Sequence, residues 1–131
     1  MTSTPEAIVD AIITQWSAAF TRLDADALAS LYSENALFYG SVPSLFQGRS
    51  GVAAYFNGLR RWPSPTVVFT DLVTIAVGND LVNMAGRATF LVAPDAAPLH
   101  VKITWIIVRE RGDWHILSHH VSPIVPLIVR D

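Results

Sequence analysis

The chain has 131 residues, of which 51% are hydrophobic and 15% are charged, and its formal net charge is −2. This length predicts one domain spanning residues 1–131, and the apolar excess excludes an intrinsically disordered chain. A single lysine, Lys102, and scattered arginines argue against a nucleic-acid-binding surface, while the lack of cysteine excludes disulfides and thiolate ligands.

The N-terminal residues and the lengths of the apolar runs indicate where in the cell the protein is located. The first residues, M-T-S-T-P-E, show no basic region followed by an apolar stretch, so we expect no signal peptide. No apolar run reaches the roughly 20 residues that a membrane-spanning helix needs. We therefore expect a cytoplasmic protein without membrane contact. The hydrophobic content exceeds what one small core is expected to hide, which predicts a cavity or a subunit interface.

The first part of the chain has the apolar periodicity of helices. Thr4, followed by a proline and an acid, predicts the start of a helix over residues 4–23. Asp24 or Asp26 can cap a second helix, whose buried stripe extends to Tyr32.

A short apolar run over residues 36–39 predicts a strand, and a loop rich in turn-forming residues follows it. Ser50 is the predicted cap of a third helix, which the sequence W-P-S-P ends. From residue 66 onward β-branched residues dominate and predict antiparallel strands. Helices followed by such strands predict an α+β fold, with the helices packed on one face of a curved sheet. The predicted strands of this second half span 66–77, 81–92, 100–109 and 114–122.

Three of the four histidines lie in the sequence W-H-I-L-S-H-H-V-S-P, residues 114–123. On a strand, His115 and His119 face the same side but stand about 13 Å apart, too far for both to bind one zinc ion. We therefore predict no metal site here, and no motif indicates a cofactor. Strict alternation sorts the stretch into two faces. One face carries Trp114, Ile116, Ser118 and His120, and the other carries His115, Leu117, His119 and Val121.

Three segments in order resemble the nuclear transport factor 2-like superfamily, and within it the SnoaL-like group. They read W-S-A-A-F-T-R-L-D-A-D-A-L-A-S-L-Y-S-E-N-A-L-F-Y-G, F-Q-G-R-S-G-V-A-A-Y-F and V-R-E-R-G-D-W-H-I-L-S-H-H-V-S-P. The last segment also resembles the calcium/calmodulin-dependent kinase II association domain. The resemblance implies a cone, in which a strongly bent antiparallel sheet and three N-terminal helices enclose an apolar pocket. It also implies a homodimer formed through the outer face of the sheet.

The superfamily includes isomerases, cyclases, dehydratases and epoxide hydrolases as well as non-catalytic domains, so the resemblance assigns no activity. Where ketosteroid isomerases have a general-base Asp, this chain has Gly40, and Trp16 replaces their oxyanion-binding Tyr. Their second acid falls at Thr104 or Trp105, neither of which can replace it. Only Tyr32 remains of that constellation, so the resemblance argues against a steroid isomerase.

The first functional hypothesis is a pocket for a small hydrophobic ligand. By analogy with the family, His119 faces the interior, where burial would lower its pKa and leave an acid/base for isomerisation, dehydration or cyclisation. Its possible partners are Tyr39, Tyr55, His100, Lys102 and Thr104. The other predicted pocket residues are Trp16, Phe20, Tyr32, Phe38, Gly40, Phe56, Phe90, Trp105, Leu117 and Val121.

The alternative is a non-catalytic oligomeric module similar to the kinase association domain. The apolar C-terminal segment 124–131 could then cross to a partner subunit. A homodimer that encloses a ligand satisfies both hypotheses. The residues predicted for the outer, assembling face of the sheet are Ile103, Ile107, Ile116, Ser118 and His120.

Overall fold

A computed structural model describes residues 3–130 and contains three helices and six strands in that range. The helices are α1 (Pro5–Thr21), α2 (Ala25–Ser30) and α3 (Gly48–Asn57). The strands are β1 (Tyr32–Tyr39), β2 (Leu45–Gln47), β3 (Thr66–Val77), β4 (Leu81–Leu91), β5 (Leu99–Glu110) and β6 (Asp113–Pro123). They form one sheet in the order β2-β1-β6-β5-β4-β3, in which β1 and β6 are parallel and the other neighbours antiparallel. This curved sheet with three helices confirms the predicted α+β fold.

The helix starts follow from local capping. Thr4 accepts a hydrogen bond from the Ala7 N–H, and Asp24 caps α2 by accepting one from the Ala27 N–H at 3.0 Å. The prediction of Ser50 as the cap of α3 was wrong. Gly48 has a φ of 68°, which a glycine adopts readily, and it turns the chain from β2 directly into the helix. Ser50 therefore already lies in the first turn.

Tyr32 also differs from its predicted place. It begins β1 instead of ending α2, because the chain leaves the short second helix and pairs Tyr32 with Ile116 of β6. This pairing points the phenol into the core, where the side chain is fully buried.

Two bulges in the antiparallel strand pairs bend the sheet. In β3 the pairing with β4 shifts between Thr70 and Val73, and Asp71 within this interval has a φ of 54°. In β6 the pairing with β5 shifts at Leu117, which is left without a partner on β5. A bulge adds one residue to one strand and increases local bending and twist, so both irregularities help to close the sheet over the helices.

The β6 bulge changes which residues face the core. Strict alternation would place Ile116 on the same face as His120, but Ile116 is 0% exposed and lies inside with His119. Ile103 and Ile107 are also buried, because each lies two residues from the inward-facing Trp105 on β5 and therefore shares its face. The prediction that Ile103, Ile107 and Ile116 form the outer face was therefore wrong. His120 and Thr104 do lie on the exposed side.

Aromatic side chains between α1 and the sheet organise the core. Trp16 of α1 is stacked on Phe20, with ring centroids 5.3 Å apart, and meets Phe56 and Phe90 edge-on. Such pairs add to the stabilisation that burial of the rings supplies. No helix within residues 3–130 is long and apolar enough to cross a lipid bilayer.

Candidate functional site

A cavity of about 680 Å³ lies between the inner face of the sheet and the helices α1 and α3. Its walls are mostly hydrocarbon, and His119, His100, Tyr55, Ser41 and Ser122 supply the polar side chains. A volume of this size is typical of sites for small organic molecules. The other lining residues are Trp16, Phe20, Phe38, Gly40, Phe56, Leu59, Trp62, Phe90, Val92, Pro98, Leu99, Val101, Val121, Pro123, Ile124, Val125 and Pro126.

The structure brings most of the predicted pocket residues to this cavity but not all of them. Tyr32, Trp105 and Leu117 do not line it. Tyr32 and Trp105 are completely buried in the core, and Leu117 is partly exposed at the bulge. The predicted residues that do line the cavity are Trp16, Phe20, Phe38, Gly40, Phe56, Phe90, His119 and Val121.

His119 is buried, 4% exposed, and its ring lies flat against Phe38 with centroids 4.1 Å apart. Its Nδ1 atom accepts a hydrogen bond from the Trp105 indole N–H at 2.9 Å. The Tyr32 hydroxyl lies 2.9 Å from the same nitrogen, and this hydroxyl accepts a bond from the Trp16 indole N–H at 3.0 Å. Trp105 and Tyr32, which lie behind the cavity wall, therefore hold the imidazole in place, and Trp16 in the wall holds the Tyr32 hydroxyl.

These bonds determine the tautomer of His119. An indole N–H is only a donor, so Nδ1 must present a lone pair to Trp105. The proton of the neutral ring is then on Nε2. This atom makes no hydrogen bond with residues 3–130. Within that range, His115 Nδ1 is the one completely enclosed side-chain nitrogen or oxygen that lacks a hydrogen-bond partner. Nε2 of His119 is therefore partly accessible. Nε2 therefore presents an N–H to the cavity.

Burial keeps the two titratable side chains of this network, His119 and Tyr32, neutral. Loss of solvation, with a smaller contribution from the neighbouring His120, lowers the pKa of His119 to about 3. Burial likewise raises the pKa of the Tyr32 phenol far above its ordinary value. Protonation of His119 would also place an Nδ1–H against the Trp105 N–H. The imidazole is therefore uncharged over the whole physiological pH range.

None of the five partners predicted for His119 hydrogen-bonds to it. Thr104 and Lys102 are exposed on the outer face, and the His100 ring bonds to Thr89 instead. Tyr55 lines the same cavity, but its hydroxyl accepts from the Ser41 backbone N–H at 2.9 Å and pairs with the Ser41 hydroxyl at 2.6 Å. Sequence reasoning missed Tyr32 and Trp105 as the partners, because their contact with His119 depends on strand register.

Gly40 explains why an acid cannot occupy the position of the isomerase general base. A Cβ atom added at Gly40 would lie 2.5 Å from Cζ of Tyr55, which packs directly over the glycine. Any larger residue would have to displace Tyr55 and break its bonds to Ser41. Tyr55 thus fills the space that an aspartate side chain would use. No Asp, Glu, Lys or Arg lines the cavity among the described residues.

A second, smaller depression lies between α1 and the turn that joins β5 to β6. His115 there has its Nδ1 3.3 Å from a Glu110 carboxylate oxygen, without the geometry of a hydrogen bond. The other Glu110 oxygen accepts from the Ser33 hydroxyl at 3.0 Å. Residues 3–130 contain no group of three or more His, Cys, Asp or Glu placed to hold a metal ion.

Comparison with known proteins bears on the fold of this site. The family model described as the SnoaL-like domain matches residues 9–126 of the chain. No curated protein shows significant similarity to the chain. These findings and the solved structures below confirm the resemblance to the nuclear transport factor 2-like superfamily.

Several solved structures have the same fold. A protein from Xanthomonas campestris, provisionally assigned as a calcium/calmodulin dependent protein kinase II association domain, has a TM-score of 0.82 and 20% identity over 91% of this chain and 87% of that one. An NTF2-like protein from Novosphingobium aromaticivorans has a TM-score of 0.80 and 14% identity over 92% and 82%. A protein from Novosphingobium aromaticivorans DSM 12444, provisionally assigned as a scytalone dehydratase, has a TM-score of 0.81 and 11% identity over 92% and 84%. At these identities the likeness concerns the fold alone.

Proposed function

Because the chain belongs to the SnoaL-like domain family, we propose that it binds an uncharged, largely apolar small molecule in the cavity that His119 faces. One observation carries the proposal: a cavity of about 680 Å³ with hydrocarbon walls has a single deeply buried polar side chain, His119, on its wall. Apolar walls favour apolar ligands through the hydrophobic effect, and a few fixed polar groups orient them.

The absence of charged side chains from the described part of the wall supports an uncharged ligand. A carboxylate or an ammonium group bound here would lose its hydration without gaining an opposite charge, which costs several kcal/mol or more. The aromatic side chains Trp16, Phe38 and Phe56 offer flat surfaces for rings of the ligand.

Native mass spectrometry of freshly purified protein, followed by denaturing extraction, tests this proposal. We expect a defined small apolar molecule to accompany the wild-type chain. In the matched variants, Val121→Trp narrows the cavity, whereas Val68→Trp changes an exposed residue of β3 that does not line it. Loss of the molecule from Val121→Trp alone supports the cavity as its site. An empty wild-type protein that also fails to bind added apolar probes would contradict the proposal.

Catalysis on such a ligand is the finer form of the proposal. One structural neighbour is provisionally assigned as a scytalone dehydratase, and its similarity to this chain is in fold only. A dehydratase, isomerase or cyclase of this type needs a group at the reacting atoms, and His119 is the buried polar group available on the cavity wall. Turnover of the extracted molecule by wild-type protein, and its loss in His119→Phe, would identify an enzyme.

A second proposal is that the chain forms a homodimer through the outer face of the sheet. Tyr39, His120, Thr104, Ala85 and Val73 form one continuous exposed row across five strands. At its β3 end, Val73 is followed on the same face by Ile75 and Val77, and these side chains are 59%, 54% and 55% exposed. A contiguous exposed apolar patch of this kind marks an interaction surface.

Light scattering with size-exclusion chromatography tests the dimer. Ile75→Asp places a charge on this face, where the side chain is 54% exposed, and we expect it to dissociate the dimer. Val42→Asp introduces the same charge at a loop residue that is 44% exposed and lies off the sheet, so it is the matched control. A wild-type monomer at micromolar concentration would refute the proposal. Deletion of residues 124–131 tests separately whether the apolar C-terminal segment contributes to the dimer.

A further inference from the structure

We propose that His119 acts as a fixed hydrogen-bond donor, and that the ligand of the cavity presents to its Nε2–H an uncharged acceptor oxygen, a carbonyl above all. This inference rests on the proposed function, since it concerns the ligand of the same cavity. It names the chemistry of that ligand, and it replaces the predicted acid/base role of His119 with a polarising one.

The contact between Trp105 and His119 carries the argument. The indole N–H can only donate, so it holds a lone pair on Nδ1 at 2.9 Å and excludes the tautomer with a proton on that atom. A general base facing the cavity would need the lone pair on Nε2, which is the excluded tautomer. As a general acid, the neutral ring would have to lose its Nε2 proton and become an imidazolate anion in an apolar wall, and an imidazolium would place an Nδ1–H against the Trp105 N–H. Donation from Nε2 without transfer of the proton is the chemistry that remains.

The surroundings of Nε2 favour a carbonyl over a hydroxyl. A hydroxyl that accepts from His119 also has a proton to donate, and it would need an acceptor nearby. The His119 ring lies against Phe38, which offers none, and the Tyr32 hydroxyl is engaged behind the ring. A carbonyl oxygen carries no proton, so a bound ketone has no hydrogen-bond donor that would be left without an acceptor. A neutral histidine that donates to a carbonyl draws electron density toward the carbonyl oxygen and polarises the bond.

Histidine tautomers are read directly by long-range proton–nitrogen correlation NMR. In wild-type protein we expect a pyridine-type Nδ1 and a pyrrole-type Nε2 for His119, assigned by the absence of its signals in His119→Phe. The opposite pattern, or a charged ring at neutral pH, overturns the inference. Trp105→Phe should release the constraint and populate both tautomers. Tyr32→Phe is the matched control. It removes a hydroxyl that can either donate to Nδ1 or accept from it, and it leaves the Trp105 N–H, which can only donate, in place.

The affinities of two matched ligands provide an independent test of the hydrogen bond from His119. Acetylnaphthalene and isopropenylnaphthalene have nearly the same shape, but only the first has an acceptor oxygen. We expect the wild-type protein to bind the ketone about tenfold more tightly, as one hydrogen bond of ordinary strength would give. In His119→Phe the ratio of the two dissociation constants should fall to about one.

The outcomes separate the two claims. If both probes bind equally tightly to wild-type protein, the donor inference is wrong and the pocket remains. If neither probe binds, the proposed function loses its support, and the NMR pattern alone then decides the tautomer of His119. Because the NMR measurement uses wild-type protein without ligand, a variant that fails to fold does not affect it.

Discussion

Burial of His119 as a neutral ring makes the stability of the protein depend on pH in a way that one variant can isolate. In the unfolded chain its pKa returns to an ordinary value near 6.5, whereas burial in the folded protein lowers it to about 3. Between these values the unfolded chain binds a proton that the folded chain excludes. The free energy of unfolding therefore falls as pH decreases below about 6.5.

The size of this effect follows from the unfolded pKa. Relative to pH 7.5, the wild-type chain should lose about 1 kcal/mol at pH 5.5 and about 3 kcal/mol at pH 4.5 from this residue alone. These values are insensitive to the folded pKa as long as it lies well below the pH of measurement. They are large against the total stability of an ordinary domain, about 5–15 kcal/mol.

His119→Asn is the informative variant. The asparagine oxygen can take the place of Nδ1 and accept from the Trp105 N–H, but the side chain does not titrate. Urea unfolding, followed by circular dichroism at fixed protein concentration from pH 7.5 to 4.5, gives both stabilities. The difference between wild type and variant cancels the contributions of the other titrating groups.

The wild-type curve should therefore fall toward the curve of His119→Asn as the pH decreases. Parallel curves for wild type and His119→Asn would show that His119 titrates normally when folded. The buried neutral network would then be refuted, and the fixed-donor inference with it.

Three further changes test other parts of the structure. Gly40→Ala should displace Tyr55 and weaken binding of any cavity ligand, and unchanged affinity for acetylnaphthalene together with unchanged thermal stability would contradict the close packing over Gly40. Asp24→Ala removes the cap of α2 and should lower the free energy of unfolding in urea by about 1 kcal/mol. Asp80→Asn breaks an exposed ion pair with Arg109, so it should change that free energy by less than about 1 kcal/mol, and a larger or salt-insensitive loss would contradict this.

Features that depend on local patterns were predictable from the sequence. The start of α1 at a Thr4 cap followed by proline, and β3 at residues 66–77, agree with the structure because capping and β-branched runs act over a few residues. The α+β fold class follows from the order of these elements. Tyr32 and Ser50 were misplaced at element ends, where the local signals of helix and strand are weakest.

The site depended on information that no local pattern contains. Counted regularly from the pair Glu110 and Asp113, Trp105 would stand opposite Ser118. The bulge at Leu117 moves Trp105 opposite His119 instead, so that His119 shares the inner face of the sheet with Ile116. A one-residue shift reverses the face of every residue beyond it, and packing of the bent sheet against the helices determines where that residue is inserted.

The amino-acid sequence by itself therefore determined most of the elements and their order, whereas the inward position of His119 came from the family resemblance. Only the tertiary structure decided what that histidine can do. The charge and tautomer of an imidazole depend on which atoms lie within about 3 Å of each nitrogen. For His119 those atoms belong to Trp105 and Tyr32, which are 14 and 87 residues away along the chain. Folding alone brings them together.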